Sequence, residues 1–524
     1  MKKLLWLLLL AVLLTGCAGD ADPQSVPSSD SHIVQNQDEY ALKTGMIKED
    51  TANPVLTAHK VNRDIYGLIF DPLFRITAGM EPQGILAQKY EVIDDGRGLV
   101  ITLDSQAKWQ DGTAVTAADV AYTFDVIQNT NYDSPYRTRL DNVRAVSMLG
   151  GSMIEIGLNY ADSGFVNNLD FPVIPSGSVP ADNHLQFSAV GNGMYKIIDN
   201  SRGIMRLQRD MNYWRGAIEE IDMVERIVVR IMPDNETIYN AFSMNTADVM
   251  QINVADISKY ISSEKTSFAV MPTDNYCFMG INLNAALLND AGLREVLYQA
   301  VDRNTIAKNI MNNFATSADM PVNPYSAYSL KEQSVKEKAD IKTQLDQLGY
   351  EKIGPGGIRE AGDYQMSFTL LINEENHIRE TIASQIAKDF LAYGIEIQIV
   401  AVDFETYESR LNFSNFELFL ATVNTNASGD LDFLLGSGKS MNYTGYHNAD
   451  MDAALAGINN ATDSVSRRDS FIKMQQTFLQ DYPHIPIYFE NELILYKNEA
   501  VAMGQLGMPF NMYRNIEGWR LVKK

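Results

Sequence analysis

Residues 90–127 read YEVIDDGRGLVITLDSQAKWQDGTAVTAADVAYTFDVI. Tyr90 and Val92 alternate with polar neighbours ahead of Asp95-Gly96, and Leu99, Ile101 and Leu103 alternate after it. A period of two on both sides of a turn signal predicts two paired strands. Trp109 then leads into Asp111-Gly112, where glycine takes a positive φ that a side chain resists. Thr116 and Asp119 have the spacing of a helix N-cap and the acidic residue three positions on, and Val120, Phe124 and Ile127 share one helical face. The stretch predicts a hairpin, a tight turn and a capped helix in immediate succession, a structural unit with no chemistry of its own.

The order of pieces is more specific than any one of them. The run Trp109-x-Asp111-Gly112-Thr113-x-Val115-Thr116-Ala117-x-Asp119-Val120 resembles the family 5 extracytoplasmic solute-binding proteins of ABC importers, the oligopeptide- and dipeptide-binding group. Asn53-Pro54, Tyr66 to Leu73, Ile85-Leu86-Ala87, Ser134-Pro135-Tyr136 and Phe171 to Pro175 are similar to that family. Gly191-Asn192-Gly193-Met194-Tyr195 resembles its Gly-Thr-Gly-Pro-Tyr, with Asn and Met as departures. Arg294 to Arg303, Asn442 to Tyr446 and Tyr482 to Tyr488 continue the resemblance, which spans about residues 40–500.

The resemblance implies an α/β, two-lobed periplasmic-binding-protein-like fold (type II, cluster C) with an extra subdomain on the first lobe. Lobe I is expected to comprise 39–72, 184–275 and 488–524, the extra subdomain 73–183, and lobe II 276–487, with strands crossing near 275 and 487.

A chain of 524 residues, 45% hydrophobic and 21% charged, has the composition of an ordinary globular protein of two or three domains. Its net charge of −23 repels nucleic acid and anionic headgroups, so neither is an expected partner; the acidity also serves solubility. Lys2 and Lys3 precede an apolar run from Leu4 to Leu14 that is too short to span a bilayer, the pattern of a secretory signal over residues 1–16. Leu14-Thr15-Gly16-Cys17 resembles a lipobox, which implies cleavage before Cys17 and its acylation. Residues 17–38, rich in Ser, Asp, Pro, Asn and Gln, read as a flexible tether. The expected place is the cell membrane, lipid-anchored and facing outside the cytoplasm. With Cys17 acylated, Cys277 has no partner for a disulfide, and its setting in Tyr276 to Ile281 predicts a small core residue in a buried strand.

A further helix and a strand–helix–strand unit follow from periodicity. Leu293, Val296, Leu297, Ala300 and Val301 fall on one helical face. Met366, Phe368, Leu370 and Ile372 alternate as a strand; Ile378, Ile382, Ile386 and Phe390 repeat as a helix; Ile395, Ile397 and Ile399 alternate again. The unit predicts a parallel pair, with ligand contacts expected at the carboxyl end of its first strand, residues 373–377.

No catalytic or cofactor motif survives inspection. Gly438-Lys439-Ser440 lacks the first glycine of a P-loop, since Phe433 stands there, and Gly191-x-Gly193 and Gly436-x-Gly438 lack the third glycine of a dinucleotide fingerprint. The run from Asn448 fails as a calcium loop at Ala453 and Asn459, and the histidines show no paired ligand spacing. No cofactor and no metal are expected.

The resemblance implies a monomeric receptor, not an enzyme, that closes its lobes on a peptide or small solute and delivers it to a permease with ATPase subunits. A nickel chelate, an opine or an oligosaccharide is the alternative cargo, and a lipid-anchored secreted hydrolase the competing class. Candidate ligand contacts are Thr57, His59, Tyr136, Asn373, His377, Asn424, Asn426, Asn442, Tyr446 and Tyr488, for each of which a structural hydrogen bond or packing role is the competing account. Aligned on Phe433, Asn426 falls where peptide-binding members carry an aspartate for the peptide's ammonium, which implies a weak dependence on a free N-terminus.

Overall fold

A computed structural model of the protein describes residues 38–180, 182–188, 190–216, 223–252, 260, 264–330, 340–362, 364–425, 427–504 and 506–522. The expected signal, the acylated Cys17, the tether up to residue 37, and Asn426 lie outside the described residues. The chain divides at Tyr40 and Ala41 into two units, and the second, Ala41–Lys524, is described by itself. No helix among the described residues is long and apolar enough to cross a membrane.

The hairpin–turn–helix stretch forms as its sequence dictates. Ala87–Ile93 pairs antiparallel with Gly98–Leu103, which pairs in turn with Met153–Leu158, and Val143–Met148 completes a four-stranded sheet. Leu99, Ile101 and Leu103 point into the core. The helix Ala117–Gln128 starts at a capping box, Thr116 donating its amide to the Asp119 carboxylate at 2.8 Å, and buries Val120, Phe124 and Ile127. A second sheet places Leu42–Ile47 parallel to Arg226–Met232, followed by Ile204–Arg209 and Tyr195–Ser201.

The largest sheet runs Val249–Ile252, His484–Lys497, Thr266–Ile281, Leu418–Asn424, Ser367–Asn373, Glu396–Val402. Ser367–Asn373 and Glu396–Val402 are parallel, with the helix His377–Leu391 between them, as the alternation and helical repeat of residues 366–399 predict. Ile382, Ile386 and Phe390 are buried, whereas Ile378 is exposed. Its place in the first helical turn, just after the Asn376 cap, lifts it off the sheet.

Thr266–Ile281 and His484–Lys497 pair antiparallel along nearly their whole lengths, with register shifts between Pro272 and Tyr276 and between Cys277 and Phe278. Pro272 has no amide to donate, and such a residue interrupts an interior ladder. Apolar packing changes hands at the first of these breaks. Ala269, Met271, Ile494 and Tyr496 join a core that holds Leu42, Trp109, Phe124 and Trp519. Tyr276, Phe278 and Phe489 join a different one with Phe471 and Phe478, and Cys277, fully buried, sits in a third with Tyr488.

Candidate functional site

The short helix Lys60–Tyr66 sets Lys60, Arg63 and Asp64 on one face by their three- and four-residue spacing. The Lys60 ammonium lies 3.1 Å from Asp64 and 3.4 Å from Glu492, and donates to Gln251 at 2.8 Å. Burial alone would lower its pKa; the two carboxylates outweigh burial and hold it above the ordinary lysine range. Arg63 donates to the Thr57 and Ala58 carbonyls at 3.0 and 2.7 Å.

Facing this helix is the Ser134-Pro135-Tyr136 bend. Ser134 donates its hydroxyl to the Val55 carbonyl at 2.7 Å and accepts from the Tyr136 amide at 3.3 Å, which fixes the tyrosine's direction. The Tyr136 ring lies 5.9 Å from the Arg63 guanidinium and 5.4 Å from that of Arg139, which also stands 4.8 Å from the Phe510 ring. Burial raises the pKa of the Tyr136 hydroxyl, with both arginines opposing. Behind it Arg514 pairs with Asp170, whose carboxyl burial pushes up to about 6 against the pull of Arg514, Arg139 and Arg75.

The break in the long strand supplies the floor. Thr273 donates its hydroxyl to the Glu490 carbonyl at 2.8 Å and accepts from the Asn275 amide at 3.2 Å, in place of the ladder bonds lost at Pro272. Asn275 donates to the Glu490 carboxylate at 2.9 Å, and Asn424 donates to the Asn275 side-chain oxygen at 3.1 Å. Between them sits Asp274, only 5% exposed. Burial pushes its carboxyl up to about 6, with Arg139 the opposing charge.

These elements border a cleft of adjoining compartments that share lining residues. A compartment with about 910 Å³ of open space lies among Lys60, Arg63, Tyr136, Asp170, Arg514 and the floor. A second, of about 1020 Å³, is bounded by Asp141, Asn142, Tyr160, Asp162, Asn168 and Asp430. Arg139, Asp274, Asn424 and Phe510 line both. A smaller space of about 440 Å³, walled by Met80, Val322, Leu431 and Phe471, also borders Asp274. Asp162 is pushed up to about 6 by burial, with Arg467 opposing.

Of the residues expected from the sequence, the structure brings Tyr136 and Asn424 together in this cleft. His59 occupies the N-cap position of the Lys60–Tyr66 helix, without a side-chain capping bond, and lines an adjoining cavity with Lys60 and Glu492. Thr57 is buried and donates to Asp50 at 2.6 Å. Asn373 engages Glu375 in its own loop and Arg379 in the helix that follows, and His377 stands exposed at the start of that helix. Asn442 clamps its own turn through the Gly436 and Tyr446 carbonyls, at 2.9 and 2.8 Å. Tyr446 donates to Asp481 at 2.5 Å, and Tyr488 is buried against the Cys277 core. None of these six, Thr57, Asn373, His377, Asn442, Tyr446 and Tyr488, lines the cleft.

The residues that sequence reasoning passed over are Arg139, Asp170, Asp274, Phe510 and Arg514. Proline within an alternating strand was the available signal for Asp274; the other four carry no local mark.

Residues 81–444 match the family described as bacterial extracellular solute-binding proteins, family 5 Middle. The chain is 23% identical to the oligopeptide-binding protein AppA of Bacillus subtilis (strain 168), over 99% of this chain and 98% of that one. Its fold is similar to that of MppA, a periplasmic murein tripeptide binding protein, in an unliganded open form: TM-score 0.76 at 18% identity, covering 93% of this chain and 98% of that one. It is also similar to NikZ from Campylobacter jejuni in complex with Ni(L-His), with a TM-score of 0.57 at 18% identity, covering 92% and 99%.

Proposed function

The chain belongs to the family 5 bacterial extracellular solute-binding proteins, non-catalytic receptors of ABC importers, and from that premise we propose that it captures short peptides in the cleft above Asp274. The observation that carries this reading is the position of the cleft floor. It lies at the strand break where apolar packing changes hands, so a solute resting there touches residues packed with both sides. On this reading the lobes divide at that break, at about 275 and 488, and the C-terminal segment around Trp519 returns to lobe I.

Ligand contacts made to both sides favour a closed arrangement over an open one, which is how a bound solute drives hinge closure. Peptide main chains need amide donors and acceptors more than side-chain pockets, and the cleft is lined by Asn275 and Asn424, hydrogen-bonded to each other, and by Asn142, whose amide holds Tyr160. AppA and MppA, whose names record peptide binding, support a peptide cargo. On the same reading Cys17 carries the lipid anchor, and the permease and its ATPase subunits are the partners.

Incubation of the purified protein with a panel of tri- to hexapeptides and glycosides tests the proposal. Saturable thermal stabilisation by peptides without product is the expected result. Turnover of any panel member would make the protein a hydrolase instead.

A further inference from the structure

Several carboxylates in and around the cleft have direct donors: Asp64 has Lys60, Asp71 has Arg75 and Tyr213, Asp170 has Arg514, and Asp162 accepts from the Gly164 amide. Asp274 differs. Its carbonyl accepts from Thr425, but among the described residues its carboxylate has neither a hydrogen bond nor an ion pair. It is 95% enclosed and lines all three spaces of the cleft. The nearest opposing charge, Arg139, is occupied by the Asp170 carbonyl and the Phe510 ring and forms no ion pair with it. The compartment beyond adds Asp141, Asp162 and Asp430, and among its lining residues Arg139 is the one cation.

A buried carboxylate without a partner is costly to the fold, and a ligand cation removes the cost. We propose that Asp274 is the counter-charge for a primary ammonium of the ligand, seated at the cleft floor with the acidic compartment beside it. The proposal rests on the peptide-receptor reading and deepens it. It replaces the weak dependence on an amine implied by Asn426 with a dependence supplied from a different strand.

The test follows the thermal midpoint of the full chain and of Asp274→Asn against three peptide pools made from casein. One is an untreated peptic digest, one is acetylated on lysine before digestion, and one is acetylated after digestion. The expected result is that the untreated pool stabilises the wild type and the fully acetylated pool does not. Asp274→Asn should need at least about tenfold more of the untreated pool for the same shift. The pool blocked only on lysine separates the two sources: full activity points to the α-ammonium, loss of activity to a lysine side chain. Equal response of wild type and variant to the untreated pool, or of wild type to the acetylated and untreated pools, would overturn the proposal.

If no pool acts on the wild type, the peptide reading falls, and spermidine decides for Asp274. A shift present in the wild type and absent from the variant upholds the ammonium site; an equal response, or none, overturns it. The ligand-free variant should melt no lower than the wild type, because the amide removes a buried charge; a lower midpoint would mark a structural role. Asp274→Ser serves as the second variant should the amide misfold.

Discussion

The main chain of Asp274 is held by Thr425 twice over: its carbonyl accepts from the Thr425 amide at 2.9 Å and from the Thr425 hydroxyl at 3.1 Å. Both bonds cross from the end of one strand to the break in its neighbour, so the residue at the cleft floor is aimed by its backbone, while its carboxylate has no hydrogen bond among the described residues.

Thr425→Val keeps the shape of the side chain and the amide bond and removes only the hydroxyl. The loss should be about 1 kcal/mol of folding stability, read as a lower denaturation midpoint with an unchanged slope. Peptide binding should weaken with it, because the Asp274 backbone gains freedom. Unchanged stability and binding would show that the amide bond alone aims the floor.

A second junction ties the early hairpin region to the C-terminal helices. Arg467, buried, donates to the Ser163 hydroxyl, the Ser428 carbonyl and, at 3.4 Å, the Ile458 carbonyl. Gly164 fits beneath it: an added Cβ would meet the Ser428 carbonyl oxygen and the Arg467 guanidinium, each at 2.4 Å. Gly164→Ala should therefore cost about 1–3 kcal/mol by overpacking, and Arg467→Met about 2–4 kcal/mol by orphaning these acceptors. Denaturation of the double variant should give less than the sum, since both changes break one junction. Full additivity would contradict the shared contact.

The hairpin and the strand–helix–strand unit were legible in the sequence because what specifies them is local. The turn glycines, the Thr116–Asp119 box and the alternation of Leu99, Ile101 and Leu103 all lie within a few residues of one another. Tyr136 and Asn424, which line the cleft, are marked in the sequence only by resemblance. The rest of the cleft was not legible: Arg514 and Asp170 are 344 positions apart, and Phe510 reaches Arg139 only after the C-terminal segment folds back. Asn442 and Tyr446 carried a recognisable motif, yet the Asn442 amide is consumed in holding its own turn and the Tyr446 hydroxyl in a bond to Asp481. A motif read from sequence does not distinguish a side chain that holds its own backbone from one that faces a solute.

His484 makes stability depend on pH. Buried among Tyr276, Phe278 and Phe478, its ring nitrogen lies 3.0 Å from the Tyr276 hydroxyl, and burial pulls its pKa down to about 3. The unfolded chain takes up this proton near pH 6.5 while the folded chain stays neutral to about 3. The contribution is thus complete above about 6.5 and is lost progressively as pH falls toward 3. A His484→Gln variant, whose side chain does not titrate, should lose its stability gap to the wild type by on the order of 2–3 kcal/mol between pH 7 and pH 4. Urea titrations at the two pH values measure the gap, and a constant gap would contradict a neutral buried imidazole.

Cys17→Ser should move the protein from the membrane fraction to the medium or periplasm while leaving peptide binding intact. Fractionation followed by immunoblotting reads the outcome. Retention in the membrane fraction after the change would rule out the lipid anchor.

Mass spectrometry of the protein purified without unfolding, first intact and then after denaturation, tests most directly the claim that this receptor carries peptides. Stoichiometric retention of short peptides with free amino groups, lost from Asp274→Asn, is the expected result. Recovery of a sugar or a metal chelate with no peptide would contradict the peptide assignment.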